Sequence, residues 1–110
     1  MNTLLIIDDE SDILDIIASY VDFANLNLNV LKAQTVLEAK KLILVSDIII
    51  SDVNMPNRDE LEFLLKNCGK PIARITGYLE VESELVLFKP FSLKDLIVVI
   101  EKLVERINSL

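Results

Sequence analysis

Short apolar runs that stop at a polar residue alternate along the chain with stretches of helical period, and this alternation limits the fold more than any other feature. Leu4 to Ile7 gives way to Asp8 and Asp9; Ile48, Ile49 and Ile50 lead into Ser51 and Asp52; Ile72 to Thr76, apolar but for Arg74, ends at a hydroxyl; Leu85 to Phe88 end at Lys89. A continuous β-branched run such as Ile48 to Ile50 suits a central parallel strand covered on both faces. Leu26, Leu28 and Val30 instead alternate with Asn25, Asn27 and Asn29, the pattern of a strand wet on one side, which belongs at a sheet edge.

The intervening segments read as helices. Ser11 to Phe23 places Ile13, Ile16, Ile17, Tyr20 and Val21 on one face. Thr35 and Glu38 form a capping-box pattern opening a helix to about Leu44. Asp59, with Glu62 three residues on, starts a helix with Leu61, Leu64, Leu65 and Cys68 inward, and Gly69 stands where a helix end wants left-handed backbone. Ser92 and Asp95 cap a last helix with Leu96, Ile97, Ile100, Val104 and Ile107 inward.

Strands and helices in alternation predict an α/β fold: a parallel sheet with right-handed crossovers and helices on both faces. At 110 residues and 52% hydrophobic, with no linker or repeat, the chain is expected to be a single domain over 1–110. One connection is short. Only residues 77 to 84 separate Thr76 from Leu85, against about 10–12 for a crossover including its helix. The fourth helix is therefore expected to be shortened or missing, unless the fifth strand starts late.

Eleven Lys plus Arg against eighteen Asp plus Glu give a net charge of −7. That balance repels phosphate backbones, and no basic patch offsets it, so nucleic acid is not an expected partner. The apolar runs fall far short of the roughly 18 residues of a membrane span, so no membrane partner is expected. The N-terminal residues reach two acids after four apolar ones and do not read as a secretory leader. Cys68 has no cysteine partner, so nothing points to an oxidising compartment and the expected location is cytoplasmic. The absence of histidine removes His-based triads, imidazole metal sites and histidine phosphocarriers, which leaves carboxylates, Lys and hydroxyls for any chemistry.

Those groups gather where the rule for open α/β sheets places ligands, at the carboxyl ends of strands: Asp8 and Asp9, Asp52, Thr76, and Lys89. Singly, each has an ordinary reading as a turn acid, a strand-end hydroxyl or a surface lysine. Carboxylates converging there would repel by about 4 kcal/mol per pair at 4 Å and an effective dielectric near 20, so a cation belongs among them. Oxygen-only ligands suit Mg²⁺, and Lys89 is the natural second positive charge.

These pieces resemble the receiver domains of two-component response regulators. The matching stretches are Leu4 to Glu10 (LLIIDDE), Ser51 to Pro56 (SDVNMP), Thr76 with Gly77, and Lys89 to Phe91 (KPF), in the family's order and spread over nearly the whole chain. The resemblance implies a flavodoxin-like, doubly wound, five-stranded parallel sheet of order 2-1-3-4-5, without an output domain in this chain. It implies Asp52 as phosphoacceptor for a phosphoryl group from a sensor histidine kinase. It implies Mg²⁺ on Asp9, Asp52 and the Asn54 backbone carbonyl, with Asp8 acting mainly through water. Lys89 would pair with phosphoryl oxygens, the Thr76 hydroxyl would bond to one of them, and a cis Pro90 would aim Lys89 into the pocket.

The resemblance departs from the family at two places. The usual aromatic three residues before the lysine is Val86 here, so the threonine–aromatic switch is not implied; Tyr78 offers a ring elsewhere or an ordinary loop aromatic. The short 77–84 link falls where relatives have their fourth helix, on the face that signals and dimerises, so a homodimer through residues 77–107 is one expectation. The leading expectation is a phosphorylation-dependent switch, not an enzyme, that assists its own phosphorylation and dephosphorylation. Its partners would be a sensor histidine kinase or phosphotransfer protein and a downstream protein. Alternatives are a phosphorelay intermediate, an interaction module acting without phosphorylation, or an aspartyl phosphatase, whose motif needs an acid where Asn54 stands.

Overall fold

A computed structural model describes residues 1–77 and 85–109. Five strands, β1 (Asn2–Ile7), β2 (Leu28–Ala33), β3 (Ile48–Asp52), β4 (Ile72–Thr76) and β5 (Val86–Phe88), alternate with four helices, α1 (Ser11–Phe23), α2 (Val36–Leu42), α3 (Arg58–Asn67) and α4 (Leu93–Asn108). All strand pairs are parallel and the order is β2-β1-β3-β4-β5. This is the flavodoxin-like sheet of order 2-1-3-4-5. The expectation of a shortened or missing fourth helix concerns residues 78–84, and Tyr78 with it, which lie outside the described residues. No helix among the described residues is long and apolar enough to cross a membrane.

The sheet divides two cores. Ile48 and Ile50 of β3 join Leu4 and Ile6 of β1 beneath α1 and α4, while Ile49 joins Leu5 and Ile7 beneath α2 and α3. Alternate side chains of one strand thus serve opposite layers, and the three isoleucines, all fully buried, form the central strand their continuous run predicts. The edge strand β2 begins at Leu28. Asn25 and Asn27, which looked like part of its alternation, take positive φ of 55° and 58° and make the turn that leads into it.

Two helix faces and one helix cap differ from their sequence readings. Ile16, expected inward, is 40% exposed, because the buried stripe of α1 runs through Leu14, Ile17 and Val21. In α4 the buried positions are Leu96, Val99, Ile100 and Leu103, with Val104 and Ile107 packed at the margin. The N-cap of α3 is Asn57, in left-handed backbone at φ 60°, and not Asp59; Asp59 and Glu60 sit in the first turn, where the helix dipole favours acids. Gly69 (φ 72°) does occupy the left-handed position after α3. The Ser92–Asp95 capping box is complete, whereas Thr35 caps α2 while Glu38 reaches back to the Gln34 N–H.

Candidate phosphoacceptor site

The sheet brings the polar strand ends to one edge. Ile7 pairs with Ser51, Asp52 with Ile75 and Thr76 with Phe88, so β1, β3, β4 and β5 finish side by side. Backbone bonds carry the ladder one residue further: Asp8 N–H donates to Ala33 O at 3.0 Å, Val53 N–H to Ile75 O at 3.2 Å and Lys89 N–H to Thr76 O at 2.8 Å. Asp8, Asp52 and Lys89 are therefore set by sheet geometry and not by free loops. The Lys89–Pro90 bond is cis, as the resemblance implied. The Phe91 ring meets Tyr20 of α1 edge-on, with centroids 6.3 Å apart, which fastens the turn carrying Lys89 against α1.

Asp8, Asp52 and Thr76 are buried, with exposures of 0%, 4% and 1%. Asp8 Oδ1 accepts from Glu10 N–H at 2.9 Å, and Asp52 Oδ1 accepts from Asn54 N–H at 3.3 Å. Among the described residues Asp8 Oδ2 has no hydrogen-bond partner, and the Lys89 ammonium stands 3.3 Å away as its ion-pair neighbour. Burial pushes the Asp8 carboxyl up to about 6, the Glu10 N–H holds it back, the Asp52 charge raises it further and Lys89 lowers it. Burial alone would lower the Lys89 ammonium, but Asp8, Asp52 and Glu10 outweigh it and hold the pKa above the ordinary value.

Asp9 and Asn54 are exposed at the rim. Carboxylate oxygens of Asp8, Asp9 and Glu10 lie within 4.8 Å of one another, and Asp52 lies outside that trio. Glu10 reads in the sequence as part of an acidic first turn and the end of the LLIIDDE stretch, with no site role, yet its Oε1 is 3.5 Å from Lys89 Nζ. Its one signal toward the site is its place directly after the Asp8–Asp9 pair. The clustered donors are all carboxylates, and a buried carboxylate oxygen without a hydrogen bond is a position a cation satisfies, so these residues fit a hard divalent ion.

No protein-family model and no curated protein sequence matches the chain. Solved structures do. A response regulator receiver domain protein from Methanospirillum hungatei superposes with a TM-score of 0.81 at 26% identity, covering 99% of this chain and 98% of that one. A Francisella response regulator receiver domain gives 0.79 at 26%, covering 96% and 98%. The chain has the fold of response regulator receiver domains. A receiver domain from Clostridium thermocellum agrees, at TM-score 0.81 and 24% identity with 98% of each chain covered. In this receiver-like fold the acids that follow β1, the acid that ends β3 and the lysine after β5 occupy one edge of the sheet.

Proposed function

We propose that this receiver domain is a phosphorylation-dependent signalling switch in which Asp52 takes a phosphoryl group from the phosphohistidine of a sensor kinase or phosphotransfer protein and hands the signal to a downstream protein. One observation carries the reading: Asp52 ends the central strand β3, buried, at the sheet edge that also carries Asp8 and Lys89, and its charge helps raise the Asp8 carboxyl and hold up the Lys89 ammonium. Such an arrangement suits a carboxylate nucleophile that must meet an anionic phosphate.

An Asp52 carboxylate oxygen attacks phosphorus while the P–N bond to the donor imidazole breaks. The bonding pair leaves with the imidazole nitrogen, and an acyl phosphate remains on Asp52. Phosphoryl transfer is chiefly positioning and charge stabilisation, and the protein supplies both. Lys89 pairs with phosphoryl oxygens, and the Thr76 hydroxyl, at the end of the neighbouring strand, donates to one. Asp8, Asp9, Asp52 and the Asn54 carbonyl would hold Mg²⁺, which, when bound, neutralises the charge between carboxylate and phosphoryl. The same groups would help water remove the phosphoryl, so the domain assists its own phosphorylation and dephosphorylation without turning over an external substrate.

The test is incubation with acetyl phosphate, with and without Mg²⁺, followed by intact-mass measurement. One added phosphoryl, lost in alkali, absent in EDTA and absent in Asp52→Asn, is the expected result. Undiminished labelling of Asp52→Asn would remove Asp52 from this role.

A further inference from the structure

We propose that Glu10 is a positioning residue for Lys89: it shares the ammonium in the unphosphorylated protein and gives it up when phosphoryl oxygens reach Asp52. The proposal rests on the phosphoacceptor reading above and adds a residue that sets how readily Lys89 can serve it.

Glu10 is the N-cap residue of α1, yet its side chain makes no capping hydrogen bond. Its carboxylate turns instead to Lys89, Oε1 to Nζ at 3.5 Å across 79 positions of sequence. Its backbone cannot drift from the pocket, because the Glu10 N–H is fixed on Asp8 Oδ1 at 2.9 Å. Lys89 therefore stands between two carboxylates of unlike character, Asp8 fully buried and Glu10 64% exposed. An ammonium carries three donors and one charge, so new contacts to phosphoryl oxygens weaken the existing ones. The contact to Glu10 lies in solvent and is the weaker of the two, so it is the one released. Glu10 also adds a negative charge facing an anionic donor. A purely repulsive role would act whether or not Lys89 is present, which separates the two explanations.

The experiment measures initial rates of Asp52 labelling across acetyl phosphate concentrations, with Mg²⁺, for the full chain and for Glu10→Gln, Lys89→Gln, the double variant and Asp12→Asn. Glu10 is exposed and caps nothing, so its substitution leaves the fold intact, and equal unfolding midpoints check this. Asp12, an exposed acid in the same first turn, controls for the loss of one charge. Glu10→Gln is expected to lower the half-saturating donor concentration roughly two- to five-fold, the value of one exposed ion pair. Asp12→Asn is expected to leave it unchanged, and the Glu10→Gln shift is expected to vanish beside Lys89→Gln. A labelled wild type with a silent Glu10→Gln overturns this proposal alone, as does a shift that persists beside Lys89→Gln. A wild type that takes no label overturns the phosphoacceptor reading and this one with it.

Discussion

Lys89 Nζ stands 3.3 Å from Asp8 Oδ2, a fully buried carboxylate oxygen that accepts no hydrogen bond among the described residues. Burial raises the Asp8 carboxyl to about 6 from its ordinary 3.8, the Asp52 charge adds to the rise, and the Glu10 N–H and the Lys89 ammonium offset only part of it. A folded pKa above the unfolded one means the native state takes up a proton first, so this group's contribution is fully present below pH 3.8 and lost as pH rises through 6. At 1.36 kcal/mol per unit, the shift corresponds to about 3 kcal/mol between those limits. In EDTA, urea unfolding of wild type between pH 7.5 and pH 5 should therefore show Asp8 favouring the fold as pH falls. Asp8→Asn, which has no proton to take up, should lack that component, so its stability relative to wild type should decline over the same range.

Magnesium should oppose this pH effect, since the ion competes with the proton for the same acids. A ligand that binds only the native state stabilises it by about 2.7 kcal/mol at a hundred times its dissociation constant. Raising Mg²⁺ at pH 7.5 should raise the thermal unfolding midpoint of wild type, EDTA should reverse the rise, and Asp8→Asn or Asp9→Asn should diminish it. A midpoint indifferent to Mg²⁺ in wild type would leave the acid cluster without a metal.

What the sequence reveals of this fold is what local chemistry decides. The Ile48–Ile50 run and the Ser92–Asp95 box need nothing beyond their neighbours, and both stand as read. Ile16 fails because apolar residues occupy more of α1 than its buried stripe, and only packing selects Leu14, Ile17 and Val21. The N-cap of α3 fails because Asn57 enters left-handed backbone, a turn conformation the Asp59–Glu62 spacing does not signal. The site divides the same way. Strand ends announce Asp8, Asp52, Thr76 and Lys89, whereas the contact between Glu10 and Lys89 exists only after β1 and β5 reach the same edge.

The complete box at α4 supports a prediction free of the site. Ser92 Oγ accepts from Asp95 N–H at 3.1 Å and Asp95 Oδ2 accepts from Ser92 N–H at 3.0 Å. Ser92→Ala should cost about 1 kcal/mol in urea unfolding, the usual worth of an N-cap, and leave Asp52 labelling intact. Because α4 supplies Leu96, Val99, Ile100 and Leu103 to the core, the loss should appear in global unfolding and not as local fraying.

The last prediction concerns β4, where Arg74 shares an ion pair with Glu62 of α3, Nη2 to Oε2 at 2.9 Å, while Arg74 Nη1 is buried without a partner among the described residues. The side chains are only 14% and 26% exposed, so removing one partner strands the other's charge in poor solvent. Glu62→Gln should therefore destabilise by about 1–3 kcal/mol, since a neutral amide cannot balance the guanidinium. Arg74→Met keeps the apolar stem, removes the unsatisfied Nη1 and leaves Glu62 at the more exposed end, so it should cost less than Glu62→Gln. The double variant should lie close to Arg74→Met, because once the guanidinium is gone Glu62 has nothing to balance. Urea unfolding of the three variants reads this order, and a costlier Arg74→Met would mean that the guanidinium, not its neutralisation, holds α3 to the sheet.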